Sequence, residues 1–396
     1  MKRVISDLVN LEGKRVLLRA DFNVPIDQFG RIIDKSRIEA EIPTIKYLVE
    51  KGAKVIICSH LGRPKGYEIS LSLWPISLIL MQYFPGKVQF AQTTVGPRVK
   101  EQVASMKNGS ILLLENVRFN EGEETNDPKF VKELASLADI FVNDAFGVCH
   151  RKHASTYGVA RLLPNAIGFL IKIELSVMDQ VRYNSYRPFV AIFGGFKVED
   201  KIDAILNLLD SADTILIGGA MAYPFLVANW ESVGRSPAST ESVNIATKIL
   251  EKAKEKGKEI ILPVDHVAVR YNDRKQKPFV TDRLDEDMIG CDIGPKTVAL
   301  FKKYITEAKQ VIWNGPLGKY EDPNFREGTF KIVDIIAKSS CYSIVGGGDS
   351  VSAVNQSGKK DMIDHLSTGG GATIKLLEGN SLPCIDVIQE SILWKK

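Results

Sequence analysis

The chain has 396 residues, with 52 Lys and Arg against 48 Asp and Glu, and the formal charge of +4 is too small an excess to argue for a nucleic-acid partner. A hydrophobic fraction of 44% and a charged fraction of 25% describe a globular chain with length for two or three domains. Five dispersed cysteines (Cys58, Cys149, Cys291, Cys341, Cys384) without a CxxC pair exclude a disulfide framework or zinc site, and the Met-Lys-Arg-Val-Ile-Ser-Asp start lacks an apolar leader, so the cytoplasm is the expected compartment.

In chain order, short β-branched runs alternate with amphipathic stretches. Strands are predicted at Arg15–Arg19, Lys54–Cys58, Ile111–Leu114 and Ile140–Val142, then at Phe189–Phe193, Thr214–Ile217, Val311–Trp313 and Tyr342–Val345. Helices are predicted over Ile38–Glu50, stopped by Gly52, and Ser242–Lys256, stopped by Gly257. The charge-free stretch Ile69–Gly86 is interrupted by Pro75, Pro85, three serines and Gln82, which makes it too short to span a bilayer. A helix from Pro75, apolar on all sides and therefore buried, is the expectation, with a face offered to a partner as the alternative. Strands alternating with helices imply two doubly wound (Rossmann-like) parallel-sheet α/β domains. The first spans 1–168, an interdomain helix spans 169–187 and the second domain spans 188–379. The segment from about 380 to 396 is expected to return to the first domain.

Residues that follow the strands differ between the halves. In the first half they are polar and cationic: Arg19-Ala-Asp21-Phe22-Asn23, Ser59-His60-Leu-Gly62-Arg63, Glu115-Asn116-Val-Arg118 and Asn143-Asp144 through His150-Arg151. Ligands of open parallel sheets sit beyond the carboxyl ends of the strands. Several guanidinium groups converging there suit a doubly anionic ligand, although any one arginine could instead be a surface residue or an ion-pair partner. In the second half the strands run into glycine: Gly194-Gly195, Gly218-Gly219, Asn314-Gly315-Pro316, Gly346-Gly347-Gly348-Asp349, and then Thr368-Gly369-Gly370-Gly371. Glycine lets backbone N–H groups approach phosphate, and a following helix N-terminus favours its charge. Lys197 and Lys201 share a helix face at i, i+4, where they either offset phosphoryl charge or form a solvated surface. Asp349 either caps a helix or binds Mg²⁺ carried by a nucleotide. The chain has no G-x-x-x-x-G-K-[ST] and no G-x-G-x-x-G, which argues against a Walker loop and a nicotinamide dehydrogenase. His150-Arg-Lys-His153 lacks metalloprotease spacing, and Cys149 beside His150 does not make a nucleophile pair.

These segments, in this order, resemble the signatures of phosphoglycerate kinases. They are Arg19-Ala-Asp-Phe-Asn-Val-Pro25, Ser59-His-Leu-Gly-Arg-Pro64, Glu115-Asn-Val-Arg-Phe119, Asn143-Asp-Ala-Phe-Gly147 with His150-Arg151, Gly194-Gly195-Phe-Lys197, Trp313-Asn-Gly-Pro316, Gly346-Gly-Gly-Asp-Ser350 and Ser367-Thr-Gly-Gly-Gly-Ala372. The match covers essentially the whole chain. It implies reversible transfer between ATP with 3-phosphoglycerate and ADP with 1,3-bisphosphoglycerate, with Mg²⁺ accompanying the nucleotide. The acid would be held by Asp21, Phe22, Asn23, Arg37, Ser59, His60, Gly62, Arg63, Arg118, His150 and Arg151. Nucleotide contacts would come from Gly195, Lys197, Lys201, Gly219, Gly290, Asn314, Glu321, Gly347, Gly348, Asp349 and Ser350, with Asp349 on the metal. Arg37, Lys197, Lys201 and the N–H groups of Gly370 and Gly371 would serve the transferring phosphoryl group. Phe196 stands where the family commonly has a small residue and Glu199 where serine is frequent, so Phe196 is expected to narrow the nucleotide pocket.

Two pockets on separate domains imply closure about the connecting helix, water exclusion and direct transfer without a covalent intermediate or general base. Monomers are usual in the family, while the apolar stretch keeps an oligomer open. The rivals are a dehydrogenase, a binding protein that closes on an anion, and another acyl-phosphate-forming kinase, which would accept acids lacking the phosphate. No nucleic-acid or membrane partner is expected.

Overall fold

A computed structural model describes residues 2–272 and 277–391. The chain divides into two compact α/β units: one runs to Ser176 and takes in the residues from Ser381 onward, and the other is Val177–Asn380. The division falls within one continuous helix, Phe169–Tyr183. Residues 392–396 of the expected returning segment lie outside the described residues; within it, Arg3 N–H donates to Gln389 C=O and Gln389 N–H to Asn165 Oδ1.

The first unit is built on β1 (Arg15–Arg19), β2 (Lys54–Cys58), β3 (Val88–Phe90), β4 (Ile111–Leu113), β5 (Ile140–Asn143) and β6 (Asn165–Ile167). All six are parallel, in the order β3-β4-β2-β1-β5-β6. Val16, Leu17 and Leu18 on β1 and Val55, Ile56 and Ile57 on β2 are wholly buried, as expected of central strands covered on both faces. Helix Ser36–Glu50 carries the chain from β1 to β2 and buries Ile38, Ile45, Leu48 and Val49 at helical spacing. Beyond it Gly52, at φ +72, turns the chain into β2.

The charge-free segment forms helix Trp74–Tyr83, but the expectation of burial on all sides holds for one face only. Ile76, Ile79 and Leu80 are buried, whereas Trp74, Leu78 and Tyr83 remain 44–47% exposed. The reason is position. The helix packs beside β3, the edge strand, where Trp74 stacks edge-on against Phe90 with ring centroids 5.5 Å apart, so its outer side lies at the margin of the sheet.

The second unit contains β7 (Phe189–Phe193), β8 (Thr214–Ile217), β9 (Glu259–Ile261), β10 (His266–Arg270), β11 (Phe279–Thr281), β12 (Met288–Ile293), β13 (Gln310–Asn314), β14 (Tyr342–Gly346) and β15 (His365–Leu366). Its main sheet is again parallel, ordered β15-β14-β13-β7-β8-β9, and an antiparallel sheet β11-β10-β12 is added to it. Trp313, Phe301, Ile332 and Val345 centre the core between sheet and helices. Helix Thr240–Glu255 begins two residues before its predicted start because Ser239 caps it, accepting the Ser242 N–H at 3.1 Å. In each six-stranded sheet the winding reverses at the first strand, β1 or β7, so the crevice expected to bind ligands opens beside it.

Candidate active site

In the first unit the crevice beside β1 is filled with charge. Arg19, the last residue of β1, is 1% exposed. Its guanidinium donates to Ser155 Oγ at 2.8 Å and to Ala20 C=O at 2.5 Å, and meets His60 Nδ1 at 3.2 Å. Glu123, also buried, accepts Ser155 Oγ–H at 2.7 Å and Ser155 N–H at 3.0 Å. Burial, reinforced by the Arg19 charge, holds His60 well below the usual histidine range. His60 is therefore neutral, accepts from Arg19 through Nδ1 and presents Nε2–H.

Asp21 carries the next layer. Burial opposes its ionisation, but the Arg37 and Arg19 guanidinium groups and the Asn23 N–H hold it below the usual carboxylate range. Its Oδ2 pairs with Arg37 Nη1. Phe22 N–H donates to Ser59 Oγ at 2.9 Å, and Asn23 Oδ1 accepts the Gly62 N–H at 2.9 Å. Arg118 donates to Gly62 C=O at 2.6 Å and reaches Glu124 at 3.2 Å. Gly62 is required there: it sits at φ +64, and a Cβ would lie 2.8 Å from Leu71. Arg151 Nε contacts His150 Nε2 at 3.1 Å. Arg63 lies exposed on the loop after β2, without a protein partner among the described residues. The predicted residues are thus bonded as Asp21 with Arg37, Phe22 with Ser59, Asn23 with Gly62 and Arg118 (Asn23 N–H also reaching Asp21 Oδ1 at 3.3 Å), and His150 with Arg151, while His60 is held by Arg19 and Arg63 has no partner among the described residues.

In the second unit the crevice is lined by backbone. Gly194 N–H donates to Asn314 C=O at 2.9 Å and Gly195 N–H to Pro316 C=O at 2.7 Å, which joins the ends of β7 and β13. Lys201 Nζ donates to Gly194 C=O at 2.5 Å and Asn314 C=O at 3.2 Å. Burial pushes its ammonium down to about 8, although Asp349 and Asp200 oppose this. Ser350 Oγ accepts the Gly315 N–H at 2.6 Å, so the serine braces the loop. The amide nitrogen of Asn314 is buried and has no hydrogen-bond partner. An unpaired donor at the floor of a cavity calls for an acceptor ligand.

Two cavities open on this surface. One, of about 250 Å³, is lined by Gly195, Gly219, Tyr223, His266, Gly290 and Glu321 among others. Its wall comes from β10 and β12, which the sequence reading lacked. Gly290 makes room for Tyr223, whose hydroxyl would lie 2.1 Å from a Cβ at that position. The other, of about 400 Å³, is lined by Lys197, Lys201, Asn314, Gly347, Gly348 and Ser350. Gly195, Phe196 and Asp349 border both. Phe196 does not fill either: its ring is 69% exposed at the rim. Gly370 and Gly371 open helix Gly371–Leu377 and line neither cavity.

Asp349 stands in the first turn of helix Gly348–Gln356, whose N-cap is Gly347 without a side-chain cap bond. Its exposed carboxylate makes no hydrogen bond among the described residues. No three His, Cys, Asp or Glu side chains among the described residues are grouped to hold a metal. A carboxylate without a hydrogen bond, lining the cavity beside Lys201 and Asp200, fits a cation that arrives on a ligand, and Mg²⁺ is commonly held in that way.

Sequence inspection missed Glu41, Glu123 and Asp292. Asp292 accepts the Gly328 N–H at 2.7 Å behind the first cavity, and burial pushes it up to about 7. Glu41 left a signal: it occupies a core-facing position in the 38/41/45/48 series of an otherwise apolar helix face.

Two doubly wound units, one ending in guanidinium groups and the other in a glycine-lined, lysine-bearing cradle, define a two-domain kinase architecture. The family model for phosphoglycerate kinase matches residues 5–380. The chain is 47% identical over 394 residues to the phosphoglycerate kinases of Dictyoglomus turgidum and Finegoldia magna, covering 98% of this chain and 99% of each relative. Among solved structures, phosphoglycerate kinase from Coxiella burnetii superposes with a TM-score of 0.86 at 36% identity, and that from Pyrococcus horikoshii OT3 with 0.85 at 31%, each covering 98% of both chains. The chain belongs to the phosphoglycerate kinase family.

Proposed function

We propose that the chain catalyses the reversible transfer of a phosphoryl group between Mg-ATP and the carboxylate of 3-phosphoglycerate, forming ADP and 1,3-bisphosphoglycerate, the kinase step of glycolysis and gluconeogenesis. The observation that carries this reading is chemical segregation. Cationic side chains gather at one crevice, while a buried unpaired amide donor, a lysine and glycine backbone gather at the other.

In the first unit, the acid is assigned to Asp21, Phe22, Asn23, Arg37, Ser59, His60, Gly62, Arg63, Arg118, His150 and Arg151. Arg63, without a protein partner among the described residues, is the residue most available for the substrate's phosphate. In the second unit, Gly195, Lys197, Asn314, Gly347 and Gly348 take the nucleotide phosphates, and Gly219, Gly290 and Glu321 take the nucleoside. Ser350 serves indirectly by holding Gly315. Asp349 would hold Mg²⁺, which supplies charge neutralisation on the phosphates.

Direct transfer requires carboxylate oxygen and terminal phosphorus to be brought into line, and we assign this to domain closure about the helix that links the units. Lys201 already has two carbonyl acceptors, so reaching a phosphoryl oxygen means giving up one of them. Arg37 and Lys201 stabilise charge on the moving group, with N–H groups of Gly370 and Gly371 as further donors. The attacking carboxylate is already ionised, so no general base is needed. Excluding water protects the acyl phosphate from hydrolysis.

No helix among the described residues is long and apolar enough to cross a membrane. We place the enzyme in the cytoplasm as a monomer, with the exposed Trp74, Leu78 and Tyr83 face as a surface that would favour an oligomer. The test is a coupled assay for ADP formation with Mg-ATP and 3-phosphoglycerate, run beside unphosphorylated glycerate. Turnover with the phosphorylated acid alone is expected; equal turnover with glycerate would move the chain to another acyl-phosphate-forming activity.

A further inference from the structure

Helix Ser36–Glu50 presents Arg37, Glu41 and Thr44 at i, i+4 and i+7, which places them on one face. Each makes a bond that leaves the helix. Arg37 pairs with the Asp21 carboxylate. One turn on, Glu41 Oε1 accepts the main-chain N–H of the same Asp21 at 2.8 Å. A turn further, Thr44 bonds Asp144 Oδ2 and accepts the Phe169 N–H at 3.0 Å. Asp21 is therefore gripped twice by consecutive turns of a single helix, at its backbone and at its carboxylate.

Glu41 is an unusual choice for that position. It is wholly buried, and its second oxygen has no hydrogen-bond partner. A buried carboxyl costs stability, and a leucine of similar volume commonly does as well or better where only packing matters. Burial, with the charges of Asp144 and Asp21 adding to it, keeps Glu41 well above the usual carboxylate range and outweighs the opposing Asp21 N–H bond and Arg19 charge.

We propose that Glu41 is a positioning residue for phosphoryl transfer: by fixing the backbone of Asp21 it sets the Asp21 carboxylate, and through it aims the Arg37 guanidinium at the reacting group. This rests on the reading of the first-unit crevice as the acid site. Without Glu41 the Asp21 loop has one anchor to the helix instead of two, and Arg37 loses a fixed partner.

The experiment compares Glu41→Leu and Glu41→Gln with the wild type in the 3-phosphoglycerate assay, together with thermal melting. Leucine fills the slot and removes the acceptor; glutamine keeps an acceptor oxygen. Glu41→Leu is expected to lower kcat about tenfold, the scale of a modest misplacement of a charge-stabilising group, with the nucleotide KM within about twofold; the unpaired Asp21 N–H costs stability and removal of the buried carboxyl restores some, so the melting temperature should change little. Glu41→Gln should recover most of the lost kcat. In an Arg37→Ala background, Glu41→Leu should have little further effect, because both act on one pair. Should Glu41→Leu fail to fold, Glu41→Met with the same double mutant gives the same readout. An unchanged kcat, or a full additional loss in the Arg37→Ala background, overturns the inference. Absence of wild-type turnover with 3-phosphoglycerate would instead sink the functional reading itself.

Discussion

The two crevices solve anion binding with different materials. At the end of β1 the work is done by side chains, and Arg19, Asp21, Arg37, His60, Glu123 and Ser155 hold one another in a buried network. At the ends of β7 and β13 much of it is done by backbone, with Lys197, Lys201, Asn314 and Asp349 among the side chains on a glycine-rich surface. The difference teaches where each site is vulnerable. A side-chain network fails when a group is removed, whereas a backbone cradle fails when a Cβ is added.

The largest effects should come where charge acts on the transferring group. Arg37→Ala and Lys201→Ala are each expected to lower kcat by roughly 10²–10³-fold while changing the KM of either substrate much less. Unchanged turnover in both variants would show that neither contributes to the transition state. The matching test on the cradle adds an atom instead of removing one. Gly315 has φ +94, and a Cβ there would lie 2.2 Å from Gly194 O and 2.4 Å from Lys201 Nζ. Gly315→Ala is expected to cost ~1–3 kcal/mol of stability and to raise the nucleotide KM, while leaving that for the acid within about twofold. Gly348→Ala is the control, since its Cβ would meet nothing within 4 Å. Equal behaviour of the two alanine variants would break the contrast between the crevices.

Arg63 sharpens the comparison within the side-chain site. Its neighbours are bonded to protein, so removing them disturbs the network as well as the ligand, whereas Arg63→Ala removes only ligand binding. The acid KM should rise about tenfold, with melting temperature and nucleotide KM little changed. A loss confined to the nucleotide KM would mean that the substrates have been assigned to the wrong units.

The strand ends were legible in the sequence because each lies within a few residues of a β-branched run, and chemistry at a strand's carboxyl end is local information. The supporting network was not. Glu41 meets Asp21 across 20 residues and Ser155 meets Arg19 across 136, and no local period encodes such pairs. The short strands β3, β6, β9, β11 and β15, of two or three residues, fell below what periodicity resolves; β10 and β12, the wall of the nucleoside cavity, are longer, but His266 and Arg270 in the one and Gly290 and Asp292 in the other break the apolar run. The apolar helix Trp74–Tyr83 was read as a helix, but its partial exposure depends on lying beside an edge strand, which is set by topology.

The smallest effect concerns Lys201 and pH. Its folded-state value of about 8 lies below the ordinary 10.5 because burial disfavours the charge. Between those values the unfolded chain binds more protons than the folded one, so stability should rise with pH from about 8 to 10.5, and the cost of the buried ammonium is present in full below pH 8. Nucleotide phosphates favour the charged form, so binding above pH 8 takes up a proton, and the nucleotide KM should climb by up to about tenfold per pH unit there. Lys201→Arg keeps its charge across this range and should flatten the profile whatever it does to kcat. The acid KM has no such lysine behind it, so its profile should stay level over the same interval. Parallel rises in both would place the titrating group outside the cradle and remove the electrostatic distinction between the two crevices.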